Sequence, residues 1–244
     1  MKKNFGVAIC AVFALMVVSS CLPQTDPVYQ YLSTVTCKNN NGVIYFEESD
    51  NVALIADNLS RNPIPDDPEK RMLLAFITDN QPATPGVPGY EQTYNISITS
   101  MDTVYTKQPV ASLGSKELDS EAFGDDPLGL YVREDTQVFP ITSLEDGYLC
   151  VRFNFEYLPY SENVHEINLV TGANPEDPYE LEIRHNAHGE SVGKSSDGYI
   201  AFPLKSLPDT GGEVKTLTLI WNSSVTGQKE KVTFEYNTRT DWPM

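Results

Sequence analysis

The eleven residues Gly147-Tyr148-Leu149-Cys150-Val151-Arg152-Phe153-Asn154-Phe155-Glu156-Tyr157 decide the fold class. Leu149, Val151, Phe153, Phe155 and Tyr157 recur at every second position, and Arg152, Asn154 and Glu156 fill the places between. A period of two sends alternate side chains to opposite faces of an extended chain, so this is a strand with one apolar and one polar face. Stretches 164–170, 179–186, 198–204, 214–221 and 230–237 continue in the same manner. Leu217, Leu219 and Trp221, then Val232, Phe234 and Tyr236, supply the apolar faces of the last two. Six strands with no helical period between them predict an antiparallel β-sandwich over residues 147–240.

The first half reads as β as well, in a different arrangement. Five strands are expected at 31–38, 43–47, 52–56, 71–78 and 94–105, separated by turn signals such as Asn39-Asn40-Asn41-Gly42. A polar, proline-bearing excursion at 58–69 comes before the fourth strand, which suits a small barrel of the OB type over 29–110; periodicity alone equally allows an open sandwich. Between 111 and 146 the alternation fades. Nine acids there face the single base Arg133 from Glu117 onward, and the stretch reads as an acidic linker and entry strand, with a turn at Gly124-Asp125-Asp126-Pro127.

The N-terminus carries an address. Lys2 and Lys3 precede an uncharged run over 5–18 and the small residues Ser19 and Ser20, the order of a secretory signal. The run falls short of the roughly 20 residues of a spanning helix. Val18-Ser19-Ser20-Cys21 resembles a lipobox, so residues 1–20 are expected to leave and Cys21 to be acylated, with 21–28 as tether. Two or more acyl chains give stable anchoring. Leu22, where Asp would argue for inner-membrane retention, points to the outer membrane, with its periplasmic and external faces both open.

Removal of residues 1–20 takes two lysines and no acid, so the formal charge moves from −17 to −19. A body that acidic repels phosphate backbones, and nucleic acid is not an expected partner. Of four cysteines, Cys10 leaves with the signal and Cys21 carries lipid, which leaves Cys37 and Cys150 as a possible disulfide or, more in keeping with their strand positions, two thiols.

With the strands placed, several phrases resemble the NigD-like lipoproteins. They are the lipidated start, Lys70-Arg71 with Leu73, the stretch 103–107, Gly124-Asp125-Asp126-Pro127 and Tyr148-Leu149. Further on come His165 with Ile167-Asn168-Leu169-Val170, Glu182-Ile183-Arg184-His185-Asn186, and Phe202-Pro203-Leu204 with Leu207. The resemblance spans nearly the whole chain and implies an N-terminal OB domain and a C-terminal β-sandwich. Through the family's association with a bacteriocin operon it also implies a part in immunity or in handling such a peptide. It implies no catalytic residue. The tether lacks the Asp-rich run common in the family.

All three histidines lie between 165 and 188. If 164–170 and 179–186 form a hairpin, matching apolar faces sets Leu169 opposite Leu181, Ile167 opposite Ile183 and His165 opposite His185. The pair is then half of a metal site, completed by His188, Glu182 or Glu190, or a hydrogen-bonded pair closing the core, with Arg184 and Asn186 pointing outward. His188 sits three residues along the strand and helps only if the strand breaks at Asn186. Neither Gly-x-Ser-x-Gly nor His-Glu-x-x-His occurs, and Gly211-Gly212 precedes no helix and cradles no phosphate. Tyr157, Pro159 and Tyr160, with Tyr29 and Tyr31, are candidate stacking surfaces. The expectation is a non-enzymatic envelope lipoprotein, without cofactor, that binds a protein or peptide, the alternative being a carbohydrate-binding or carbohydrate-processing component.

Overall fold

The computed structural model describes residues 29–40, 42–132, 139–190 and 192–243, so the signal, the lipidation site Cys21 and the tether lie outside the described residues. The chain divides into two compact units, the second beginning at Val104.

In the first unit β1 (Tyr29–Asn40), β2 (Val43–Ser49), β3 (Val52–Ala56), β4 (Glu69–Thr78) and β5 (Gln92–Thr103) close into a barrel of order β1-β2-β3-β5-β4. β1 is long enough to do two jobs. Its C-terminal part pairs with β2 through Cys37↔Phe46, and nearly all of it pairs with β4, from Tyr29↔Thr78 to Lys38↔Glu69. β3 runs parallel to β5, and register shifts at Glu47/Ser49 and Ala75/Phe76 help the sheet curve. Every second residue points inward: Val35, Cys37, Phe46, Leu54, Met72, Leu74, Phe76 and Ile96 form one buried cluster. The polar excursion contributes Ile64 to that core, its N–H bonded to the Asn62 side chain. This is the expected OB-type barrel.

The second unit is a sandwich. Before its main strands come β6 (Tyr105–Thr106), β7 (Val110–Ala111), α1 (Lys116–Phe123), β8 (Gly129–Leu130) and β9 (Ser143–Glu145). The main strands are β10 (Tyr148–Tyr157), β11 (Glu166–Thr171), β12 (Glu180–Asn186), β13 (Lys194–Pro203), β14 (Lys215–Asn222) and β15 (Lys229–Tyr236). One sheet has the order β6-β13-β10-β8 with β9 beside β10, and the other β15-β14-β12-β11-β7. Leu149, Val151, Ile200 and Phe202 from the first sheet meet Leu169, Leu181, Ile183, Leu217, Leu219 and Trp221 from the second. Each such side chain contributes about 1.5–3 kcal/mol by leaving water. The main strands pair antiparallel except β12 and β14, which run parallel.

Two sequence expectations change here. First, residues 111–132 and 141–146 of the stretch read as an acidic linker belong to the sandwich unit. Ser115 caps α1 by accepting the Leu118 N–H, and Gly124 ends it with φ +83°. Asp119, 1% exposed, accepts the Leu113 N–H and the Ser112 hydroxyl, each at 2.6 Å. An acid used as a loop clamp carries the same letter as a solvated one.

Second, Arg184 does not point to water. It is 2% exposed and donates to the Ser120 hydroxyl, the Gly124 carbonyl, Asp125 and, at 2.6 Å, Glu182, because α1 and its following loop cover the outer face of β12. The polar face of β10 is likewise covered: Cys150 and Arg152 are buried, and the Arg152 guanidinium lies 3.9 Å from the centre of the Tyr131 ring.

Cys37 and Cys150 are thiols, the reading their strand positions favoured. Cys37 belongs to the barrel core, where burial pushes its pKa up to about 12, and Cys150 to β10 of the sandwich unit.

Candidate functional site

The hairpin β11–β12 sets the site. Its register is Leu169↔Ile183 and Ile167↔His185, two residues from the expected one. A slip of two keeps every side chain on its face, so the apolar pattern cannot detect it; the turn decides. Here the turn is pinned by the Asn174 and Asp177 side chains, which accept the N–H groups of Glu176 and Tyr179. His165 immediately precedes β11, diagonal to His185.

The two histidines nevertheless meet. His165 Nδ1 lies 2.9 Å from His185 Nε2, His185 Nδ1 lies 3.0 Å from the Pro127 carbonyl oxygen, and His165 Nε2 lies 3.3 Å from Glu190 Oε2. Phe155 of the opposite sheet stacks on His165 with ring centres 4.4 Å apart. A carbonyl only accepts, so His185 carries its proton on Nδ1 and accepts at Nε2. His165 must then donate from Nδ1.

Burial, the largest effect, lowers the pKa of His185; the neighbouring His165 acts in the same sense, and the Pro127 carbonyl and Asp126 oppose it. Glu190 is held down at about 2, first by the nearby Ser161 hydroxyl, then by the Leu158 N–H, with His165 adding to both. The Leu158 N–H donates to Oε2 at 2.9 Å.

These directions make stability depend on pH. A histidine whose folded pKa lies below its unfolded value near 6.5 takes up its proton first when unfolded, so the folded state loses ground as pH falls below about 6.5. Glu190 acts lower: its contribution is complete above about 4.5 and is lost as pH falls toward 2. Denaturant midpoints are expected to drop between pH 8 and pH 5 in the parent chain and to flatten in His185→Gln. A parent profile as flat as the variant's over that range refutes the assignment.

The two ring nitrogens that would face an ion bond each other, and no group of three His, Cys, Asp or Glu among the described residues is placed to hold a metal. His188, at φ +50°, stands apart with Glu166 at 3.6 Å, and Glu182 lies on the opposite face with Arg184 and Lys229. Of the tyrosines, Tyr31 stacks on Phe76 in the barrel unit, and Tyr160 of the sandwich unit is 99% exposed. Among the described residues, no helix is long and apolar enough to cross a membrane.

A cleft of about 400 Å³ opens beside the histidine pair in the sandwich unit, walled by Asp126, Phe155, Glu156, His185 and Glu190 with Ser195, Ser223 and Ser224. Sequence reasoning named the histidines and Glu190 but missed Asp126 and Phe155 as cleft residues. Phe155 was visible only as one more core residue of β10, and Asp126 only as part of a turn. A second cleft, of about 490 Å³, lies in the barrel unit between loop 58–65 and the side chains Met72, Ile98 and Met101. Asn58 there bonds both the N–H and the carbonyl of Ile98, acting as a strand surrogate.

The family model described as the NigD-like C-terminal beta sandwich domain matches residues 110–236, just over half of the chain. Among solved structures, the chain is similar to a protein from Parabacteroides distasonis described as toxin-related, at 25% identity and a TM-score of 0.61, covering 86% of this chain and 93% of that one. A protein of unknown function from Bacteroides vulgatus is similar at 19% identity and a TM-score of 0.62, covering 88% and 94%. A NigD-like immunity protein from Bacteroides caccae is similar at 18% and 0.53, covering 84% and 96%. No curated protein matches the chain.

Proposed function

Because this chain belongs to the NigD-like family, we propose that it is a non-enzymatic, lipid-anchored envelope protein whose sandwich unit binds another protein or peptide. One observation carries the reading. Leu158, Tyr160 and Val164 on one loop, Val192 on a second and Val225 on a third expose large apolar surface. These loops gather at one end of the sandwich: Leu158 and Asn163 bond Glu190 and the His188 carbonyl, and Ser223, Ser224 and Gly227 share the cleft with Glu190. Apolar side chains concentrated beside polar groups mark an interaction surface for another protein.

The family's association with a bacteriocin operon makes a peptide of that kind the partner proposed here. Anchoring at the outer membrane rests on the Lys2–Lys3 start, the apolar run and Cys21 followed by Leu22. The histidines, committed to each other, to Pro127 and to Glu190, are read as structural and not catalytic.

The test places a photo-crosslinking amino acid at position 160, 225 or 43 of the anchored protein in cells, Val43 being an exposed residue of the barrel. Covalent adducts with one protein are expected at 160 and 225 and not at 43. Cys21→Ser is expected to move the protein out of the membrane fraction. Equal yields at all three positions, or adducts that contain only glycan, overturn the binding reading; unchanged fractionation overturns the anchor.

A further inference from the structure

The two sheets of the sandwich unit end unequally. Three of their edges are closed by strands of two or three residues, namely β6, β7, and β8 with β9, and the fourth is the eight-residue β15. A long edge strand offers its unpaired backbone groups to another strand, and sheets ordinarily blunt such edges with short strands, prolines or bulges. β15 has no proline and no bulge, for it pairs with β14 one residue to one, from Asn222↔Lys229 to Lys215↔Tyr236. We infer that this edge joins two copies of the chain, β15 of one pairing antiparallel with β15 of the other about a two-fold axis at Thr233. The edge is distinct from the loop end, and the inference stands whether or not a partner binds there.

The inner ladder fixes which groups are on offer. Ser223 donates its N–H to the Gln228 carbonyl, and Thr218, turned the other way on β14, donates to the Tyr179 carbonyl. Antiparallel pairs alternate between bonded and non-bonded, so Glu230, Val232, Phe234 and Tyr236 direct their backbone groups to β14. Lys229, Lys231, Thr233 and Glu235 therefore direct theirs outward. Among the described residues no backbone hydrogen bond from another segment reaches them, and β9 of the facing sheet pairs with β10 instead.

The side chains choose the occupant. With the axis at Thr233, Thr233 meets its own copy, Lys231 meets Glu235, Val232 meets Phe234, and Lys229 meets Asn237. Threonine pairs, opposite charges and β-branched with aromatic residues are the cross-strand combinations that stabilise antiparallel sheets. Lys231, Thr233 and Glu235 are exposed on the outer face, while Val232 and Phe234 are only partly buried at the margin of the core, so pairing covers them. Moving the axis to Lys231 sets that lysine against itself, and moving it to Val232 sets Glu230 against Phe234. A slip of one residue between the strands turns apolar faces to water. The lysines that keep a foreign strand off this edge are thus answered by a second β15.

Sedimentation of the chain in its Cys21→Ser form, over a wide range of concentration, tests the inference. The parent is expected to pass from monomer to dimer as concentration rises. Lys231→Glu and Glu235→Lys, each of which places like charges opposite one another twice per dimer, should weaken association about tenfold. The exchange Lys231→Glu with Glu235→Lys should restore it, and circular dichroism should show the parent fold in all three variants, since both positions are exposed. Under a mild oxidant Thr233→Cys should give a disulfide-linked dimer, because bonded antiparallel pairs hold their Cα atoms about 5.5 Å apart, within a disulfide's reach. Thr216→Cys, exposed on β14, should not. A parent that stays monomeric at every concentration, a dimer indifferent to both charge reversals, an exchange that fails to restore association, or equal disulfide yields at 216 and 233 overturns the inference.

Discussion

Arg184→Ala is expected to destabilise the sandwich unit by about 3 kcal/mol, seen as a fall of about 10 °C in melting temperature for a chain of this size. The guanidinium is 2% exposed and joins four partners: Glu182 on its own strand, and Ser120, Gly124 and Asp125 on the segment that covers it. Removing one member of a buried ion pair costs about 3–5 kcal/mol. The lower figure applies because Lys229 remains 3.1 Å from Glu182 and Asp125 is partly in water. Arg184→Lys should recover only part of the loss, since one ammonium cannot reach donors spread around a planar fork. Calorimetry of the three proteins decides it, and a fall below 3 °C in Arg184→Ala means that the segment is held by other contacts.

Gly124→Ala is expected to cost a similar amount, about 3 kcal/mol, through backbone and not charge. At φ +83° any side chain is strained by about 1–3 kcal/mol. An added Cβ would also stand 2.6 Å from the Asn186 Cα and against the His185 carbonyl, which already accepts the Asp126 N–H at 2.9 Å. Backbone cannot swing aside as a long side chain can, so the loop must lift and that hydrogen bond, worth about 1 kcal/mol, weakens. The loop also presents the Pro127 carbonyl that holds the proton of His185 on Nδ1. Imidazole ¹⁵N shifts should therefore report one tautomer in the parent and a mixture in Gly124→Ala. A variant that melts with the parent and keeps a single tautomer shows that the close approach is slack.

These two residues mark where sequence reading ran out. Arg184 follows Ile183 on β12 and looks like any outward polar residue; its burial depends on α1, more than sixty positions earlier in the chain. α1 is an eight-residue helix with two acids in its first turn, and its composition suits a solvated linker equally well. Gly124 looked like a turn glycine, which it is. That its bare Cα is pressed against β12 is a fact about another strand.

The strand content of both halves and the inward faces of nearly every main strand were legible in the letters alone, because a period of two is written locally, residue by residue. That period also brought His165 and His185 to the same face. Tertiary structure alone decided the two-residue register of their hairpin, the covering of β12 and β10 on their polar sides, the partnership of Glu190 with His165, and the cleft those groups share. Each of these depends on distances between segments far apart in the chain. A shift of two residues, or an acid buried and not solvated, leaves the local pattern of polar and apolar letters unchanged.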